Sequence, residues 1–172
     1  MPRVAGLSMD SKNFLKLNPH KAIRYLGPML SRASEKRIRR ELHANVKALV
    51  LLSKTHLRFA RRATGRGSWR QKVSRGYYAC YIASRAVRLA HDGTYDTDHK
   101  DHKNISKLPD DFPSRATWAE FLTKFRGDRN LADYDHSAAA LSLELRADDY
   151  VREASSFLNE VRQHLQSKGV LP

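Results

Sequence analysis

The sequence is poor in the features that build disulfides, flexible linkers and membrane spans. Its 172 residues include a single cysteine, so an internal disulfide is excluded, and its 8 glycines and 6 prolines are too few for a collagen-like or low-complexity chain. No apolar run approaches the roughly 18 residues of a membrane-spanning helix. Residues 1–21 also lack the apolar core and cleavage site of a secretory signal. These absences predict a cytoplasmic protein without membrane association.

Positive charge is the most informative property that the sequence does have. Lysine and arginine outnumber aspartate and glutamate by 32 to 18, which gives a formal net charge of +14. Residues 1–75 contain 19 basic and 3 acidic side chains, whereas residues 76–172 contain 13 and 15. Such a basic half predicts RNA or another phosphate-rich partner, bound with salt-sensitive affinity. The alternative is a charge that keeps the protein soluble or docks an acidic protein.

Apolar residues recur at helical spacing in four segments, and strand-like alternation is absent from the sequence. Cys80 lies in the apolar run 77–83, where we expect a buried thiol that acts as a small hydrophobe. A long polar loop is expected at 92–114, with at most a short helical piece at 104–108. The predicted helices cover residues 34–63, 68–92, 117 to at least 125 with a capping box of Thr117 and Glu120, and 137–167.

This pattern predicts an all-α protein, an up-and-down four-helix bundle over residues 35–168. Residues 1–34 are expected to form an N-terminal extension with one short helix, because glycine and proline interrupt their short apolar clusters. The first long helix of the bundle also carries a row of basic side chains at steps of three, four or seven residues, which places them on one face. We name this row the basic stripe and expect it to bind RNA: Arg40, His43, Lys47, Lys54, Arg58 and Arg61.

Residues 126–136, between the third and last predicted helices, concentrate side chains used in acid–base and phosphate chemistry. On a continuous helix, Arg129 and His136 would lie on one face about 10.5 Å apart along the axis. A break in the helix, or a second copy of the chain, would be needed for both to reach one phosphate. The alternative is an Arg129–Asp133 ion pair on a solvated surface, with His136 near a helix start.

The run RNLADYDH at residues 129–136 resembles the signature of the HEPN superfamily, in which an arginine precedes a histidine by four to six intervening residues, here six. The run VSRGYYACY at residues 73–81 is similar to the family's second helix, and His102 and Lys103 match a pair that often precedes its third. The likeness covers roughly residues 35–166. It implies a helical bundle that forms a homodimer and, in catalytic members, a metal-independent endoribonuclease with a composite site and no cofactor.

The resemblance also implies roles for the motif residues. RNA cleavage without metal needs a base for the 2′-hydroxyl, an acid for the 5′-oxygen and a cation for the developing charge. His136 suits the base or acid, since imidazole titrates near neutrality, and we expect a helix N-terminus to favour its neutral form. Arg129 suits the cation, and Asn130 would orient substrate or His136. Asp133 and Tyr134 are expected mainly to support the structure of the site. Direct participation of either residue in catalysis is the alternative.

The implied products are 2′,3′-cyclic phosphate and 5′-hydroxyl ends, and the implied biological role is the toxin of a toxin–antitoxin or phage-defence system. A cognate antitoxin would then cover or modify the site. In one toxin branch a partner nucleotidyltransferase modifies a tyrosine two residues after the histidine, where this chain has Ala138. The other possibility is a catalytically inactive HEPN module that binds nucleic acid, a nucleotide or an acidic protein.

Residues 96–102 form a second group of polar side chains. Asp98, His99 and His102 have spacing that could hold a divalent metal, but lysines are interleaved and no second ligand cluster follows. The favoured interpretation is a solvated loop that contacts phosphate, and no metal site is expected. Phosphate-binding glycine loops and the Gly-x-Ser-x-Gly and Cys-x-x-Cys motifs are absent from the sequence.

Overall fold

The protein is all-α, as the sequence predicts. The computed structural model describes residues 18–65, 67–95 and 99–172, of which 99 and 100 are described by their backbone alone, and these residues contain no strand. Within these residues, three short 3-10 helices cover Gly27–Met29, His99–Asn104 and Ala140–Ser142. The α-helices are α1 (Pro19–Leu26), α2 (Arg32–Arg62), α3 (Trp69–Asp92), α4 (Arg115–Tyr134) and α5 (Ala147–Ser167). No helix in the described ranges is long and apolar enough to cross a membrane.

Helix α3 lies at the centre of the fold and packs against α2, α4 and α5. It is buried on most of its surface, and Cys80 is fully buried in it, where burial raises the pKa of the thiol well above its usual value. The thiol therefore serves as core, as the sequence predicts. Gly76 allows a close approach of α4, because an added Cβ would lie 3.0 Å from the Phe125 ring.

The predicted starts of α2 and α4 are a few residues late, and the predicted cap of α3 makes no side-chain hydrogen bond. Helix α2 begins at Arg32, because the Ser31 hydroxyl accepts a hydrogen bond from the amide of Ser34. Ser68 precedes α3 without a side-chain cap bond. Helix α4 starts at Arg115, so Thr117 lies inside it and the predicted capping box does not exist.

The junction between the last two long helices differs most from its prediction. Helix α4 continues through Gly127 to Tyr134, and α5 begins at Ala147 instead of residue 137. The Asp135 carboxylate stops the helix, since it accepts bonds from the amides of Ser137 and Ala138 and so favours a turn. Leu141, which fits the apolar periodicity, is 97% exposed.

The segment between α3 and α4 is packed into the protein, so the prediction of a solvated loop is wrong for its described part. Asp101, Ile105, Leu108 and Phe112 are buried. Its helical turn is the 3-10 helix His99–Asn104 and not residues 104–108. Residues 96–98 lie outside the described residues.

The described part of the predicted extension is attached to the carboxyl end of α3. The Asn18 amide donates to the carbonyl of Asp92 at 2.9 Å, and the His20 ring nitrogen Nε2 lies 2.8 Å from the carbonyl of Ala90. The short helix expected there is α1, with Asn18 as its cap. Residues 1–17 lie outside the described residues.

Candidate functional site

Arg129 lies inside the protein, on the last turns of α4, and its guanidinium reaches α3. Its side chain is 9% exposed. Nη2 donates to the Tyr78 hydroxyl at 2.7 Å, and Nη1 donates to Oδ1 of Asn130 at 3.2 Å. The guanidinium also lies over the rings of Tyr77, Tyr78 and Tyr134, between 5.0 and 5.5 Å from their centres.

Arg129 also forms the ion pair with Asp133 that the sequence suggests, with 2.7 Å between Nε and Oδ2. The pair is not on a solvated surface, because the arginine is buried. Burial alone would lower the pKa of Arg129, but Tyr78 and Asp133 raise it above its ordinary value. The buried Nε makes no hydrogen bond of good geometry. Asp133 therefore stabilises Arg129 through its charge more than it fixes the orientation of the guanidinium.

His102 completes the wall beside Arg129. Its Nδ1 lies 2.9 Å from the Tyr77 hydroxyl, and its ring stacks on Tyr81 with 4.2 Å between centres. Burial and then the charges of Arg129 and Arg85 lower the pKa of His102, so the ring is neutral at neutral pH. The fold thus joins the three stretches that carry the family resemblance: Tyr77 and Tyr78, His102, and Arg129.

A buried carboxylate fixes the segment that carries His102. Asp101 is fully buried and lies between two arginines of α3: Arg85 Nε is 2.6 Å from Oδ2, and Arg88 Nη1 is 2.7 Å from Oδ1. A second bond from Arg88 Nη2 makes that pair bidentate. These residues could not be recognised from the sequence, because their pairing depends on the fold of residues 99–104 against α3.

His136 lies in the turn after α4, one residue beyond the cap Asp135, and is exposed. The expectation that it begins a helix is wrong, since it follows a helix carboxyl end. No hydrogen bond or ring contact joins its imidazole to another described residue, Arg129 included. Among the motif residues, Asn130, Asp133 and Tyr134 contact Arg129, and His136 does not.

Arg70 holds the backbone of this turn, and its role was missed from the sequence. Its guanidinium donates to the carbonyls of Ala132, Asp135 and Ala138 at 2.8 Å each, and to those of Leu131 and His136 at 3.3 Å. One arginine thereby satisfies the free carbonyls at the end of α4. The backbone of His136 is fixed while its ring remains free.

A buried aspartate ties the rest of the junction to α5. Asp128 Oδ2 accepts from the Tyr150 hydroxyl at 2.7 Å and from the amide of Glu144 at 2.8 Å. Tyr150 in turn stacks on Phe125, with 4.2 Å between ring centres. The irregular segment 135–146 is therefore anchored at both ends, by Arg70 and by Asp128.

Three residues of the basic stripe share a groove between α2 and α5. Lys54, Arg58 and Arg61 line a cavity of about 370 Å³ together with Ser155, Asn159 and Arg162. We name it the basic groove. Arg61 Nη2 donates to the Ser155 hydroxyl at 2.5 Å, and Arg162 is a further cation that the sequence analysis missed.

The other stripe residues lie nearer the amino end of α2. Arg40 and Lys47 are exposed, and His43 lines a different cavity.

No protein-family model, no curated protein and no solved structure matches this chain. Function therefore has to be argued from the residues themselves.

The described residues contain no group of three or more histidine, cysteine, aspartate or glutamate side chains that could hold a metal ion. Of the metal ligands suggested by sequence, Asp98 and the side chain of His99 lie outside the described part of the chain. His102 is engaged with Tyr77 and Tyr81.

Proposed function

We propose that the protein is a metal-independent endoribonuclease of HEPN type that acts as a homodimer. The supporting observation is that one short stretch of chain holds both a buried, charged arginine on α4 and an exposed histidine on the fixed turn that follows it. Imidazole exchanges protons near neutral pH, and a guanidinium stabilises charge on phosphate oxygens. These are the two kinds of group that RNA cleavage without metal requires.

In the proposed reaction His136 removes the proton of a ribose 2′-hydroxyl, and the resulting oxygen attacks the adjacent phosphorus. The bond from phosphorus to the 5′-oxygen breaks, and an acid gives that oxygen a proton, which leaves a 2′,3′-cyclic phosphate and a 5′-hydroxyl. One imidazole cannot be base and acid in the same step. His102 is hydrogen-bonded and stacked, so we assign the second role to His136 of a partner copy.

The surface around His136 supports docking of that second copy. Tyr134 is 71% exposed and Leu141 is 97% exposed, and both lie within five residues of His136 in the chain. Large apolar side chains of this exposure near one site are typical of interfaces. A symmetric contact there would place two copies of His136 and Arg129 in one composite site.

We assign RNA binding to the basic stripe and the basic groove. From residue 40 to residue 61 the stripe extends about 32 Å along α2, a length that can follow several phosphates. With this activity the protein would serve as a toxin or phage-defence effector, and a cognate antitoxin would cover the exposed turn at His136. That biological role derives from the family resemblance alone.

Incubation of the purified protein with single-stranded and structured RNA in excess EDTA tests the proposed activity. We expect cleavage that resists EDTA and leaves 2′,3′-cyclic phosphate and 5′-hydroxyl ends, because no step uses a metal. The ends are identified by their response to phosphatase and kinase treatment. Cleavage that requires a divalent metal, or leaves 5′-phosphate ends, would refute the mechanism.

A catalytically inactive RNA-binding module is the second candidate, and one observation favours it. Arg129 already directs bonds to Tyr78 and Asn130 and pairs with Asp133, which reduces its capacity to bind a phosphate. Under this alternative the same RNA would be bound through the basic groove and recovered intact. Saturable binding without cleavage, on a panel of single-stranded and structured RNAs, would favour the module over the enzyme.

Reversing two charges in the basic groove is expected to weaken RNA binding under both candidates. The double variant Lys54→Glu/Arg58→Glu removes two phosphate contacts, and each contributes about 0.7 to the slope of log affinity against log salt for a single strand. The slope should fall by about 1.4, measured by fluorescence anisotropy at several salt concentrations. The matched control Lys107→Glu/Lys124→Glu makes the same charge change at exposed residues outside the groove. Equal losses in both variants would show that net charge alone governs binding.

A further inference from the structure

A second cavity, separate from the motif and from the basic groove, gathers four histidines. It measures about 280 Å³ and receives one imidazole from each of α1, α2, α3 and α5. We name it the histidine cavity, with the four residues His20, His43, His91 and His164. Its apolar surface comes from Leu42, Val87, Leu165 and Val170.

His164 is the residue whose surroundings indicate a ligand-binding site. Its side chain lies in the cavity wall and is only 6% exposed, beside the Phe112 ring at 5.1 Å between centres. Its ring nitrogens make no hydrogen bond to any described residue. Because His164 lines the cavity and its nitrogens have no partner within the described part of the protein, they are available to a ligand bound there.

The charged groups around His164 favour an anion. Two cations, Lys168 and Arg39, and one carboxylate, Asp111, line the cavity, and Lys168 pairs with Asp111 at 2.5 Å, so the lining has an excess of positive charge. Arg39 pairs with Glu35 on the exposed side of α2. Burial lowers the pKa of His164, so its neutral ring can donate one hydrogen bond and accept another.

The other imidazoles are partly engaged, which limits what the cavity can hold. His20 Nε2 is bonded to the carbonyl of Ala90, and His91 Nδ1 lies 2.8 Å from Asp92 Oδ1. No three of these side chains are grouped tightly enough for a metal ion among the described residues. The cavity therefore suits a ligand larger than an ion, with polar groups at one edge and an apolar surface opposite.

We propose that the histidine cavity binds a small organic anion, an apolar ring that bears a carboxylate or a phosphate. A cavity of about 150 Å³ accommodates a benzene ring, so about 280 Å³ leaves room for the anionic group. The ring would pack on Leu42, Val87 and Leu165, and the anion would accept bonds from His164 and Lys168. This binding site is independent of the proposed nuclease activity.

Titration of the full chain with phenyl phosphate and with benzoate tests this site, and benzyl alcohol and inorganic phosphate serve as partial ligands. We expect saturable binding of one or both aromatic anions by calorimetry, and weaker binding of the two partial ligands. The stronger of the two anions identifies the preferred group. Binding should move the imidazole signals of His164 in two-dimensional NMR spectra.

Two variants locate the binding. His164→Phe keeps a ring beside Phe112 and removes both nitrogens, and Lys168→Gln removes the charge at the rim; each should weaken binding about tenfold, the value of one hydrogen bond to a charged group. Lys107→Gln, an exposed lysine outside the cavity, should bind normally, and so should the groove variant Lys54→Glu/Arg58→Glu. If His164→Phe does not fold, anion binding by Lys168→Gln and the wild-type NMR signals decide whether the anion lies in the histidine cavity.

Three results would overturn the proposal. The first is that neither anion binds the wild-type protein at millimolar concentration. The second is that benzyl alcohol binds as tightly as both anions. The third is that anion binding survives in Lys168→Gln while the His164 NMR signals stay unmoved. The last result would place any anion at the basic surface instead of the cavity.

Discussion

Replacement of His136 by alanine is expected to slow RNA cleavage by about 10²–10⁴-fold, the usual contribution of a general acid or base. RNA affinity should change little, because the basic groove lies on α2 and α5 and does not include the turn that carries His136. The measurement is single-turnover cleavage of a labelled RNA in EDTA, beside binding of the same RNA to both proteins.

His136 is a clean target because its ring is exposed and makes no hydrogen bond or ring contact with another described residue. Arg129 is not, since Arg129→Ala would leave Tyr78 and Asp133 without their partner in a buried cluster and would alter stability together with activity. Lys107→Ala, which removes an exposed cation elsewhere, is the control and should cleave at the wild-type rate. Cleavage by His136→Ala at that same rate would remove His136 from the mechanism and leave the RNA-binding module as the better account.

The composite site predicts a further result in the same assay. If each reaction uses His136 from two subunits, a mixture of wild-type and His136→Ala chains contains heterodimers with one imidazole. Their activity should be reduced as strongly as that of the variant homodimer, because the base or the acid is missing in either orientation. Activity proportional to the wild-type fraction would show that each subunit works alone.

The all-α fold could be predicted because long amphipathic helices carry their own signal in the sequence. Helix α2 covers 31 residues with a clear apolar face, and its predicted start was only two residues late. The start of α5 could not be predicted in this way. Leu141 and Leu145 continue the apolar spacing of α5, yet both are exposed, since they lie in the irregular segment that precedes the start of α5 at Ala147.

The candidate site could be predicted from the sequence only in part, for a related reason. Arg129, Asp133 and His136 are close in sequence, so residue type and spacing were enough to select them. Arg70 reaches carbonyls more than 60 positions away, Asp101 lies between two arginines of another helix, and Arg162 joins a stripe on α2. Each of these depends on which helices pack together, and helical periodicity does not determine that.

The largest expected effect on stability comes from Asp101. Asp101→Asn should lower the free energy of unfolding by about 3–5 kcal/mol at pH 7, the usual result of removing one partner of a buried ion pair. Arg88 is itself buried, with 7% of its side chain exposed, and would retain an uncompensated charge. Arg85 would lose the same partner. Urea denaturation followed by circular dichroism measures the difference.

The pH dependence of this difference tests its cause. Burial raises the pKa of Asp101, but hydrogen bonds from Arg88 and Arg85 outweigh burial and hold it below its ordinary value of 3.8. A carboxylate with a lowered pKa stabilises the folded state at pH values above its ordinary pKa, and this contribution is lost as the pH falls through the lowered value. The gap between wild type and Asp101→Asn should therefore be full at pH 7 and shrink below about pH 4.

An exposed aspartate supplies the control for this experiment. Asp110 is 96% exposed and pairs with Arg115 at 3.0 Å, so Asp110→Asn should leave stability unchanged at every pH. A gap for Asp101→Asn that stayed constant down to pH 3 would mean that lost packing, and not lost charge, causes the destabilisation. Because Asp101 adjoins His102, whose ring stacks on Tyr81 beside Arg129, the same variant should also loosen the wall of the candidate site. Faster amide hydrogen exchange at residues 101–105 than in Asp110→Asn would be the sign of that loosening.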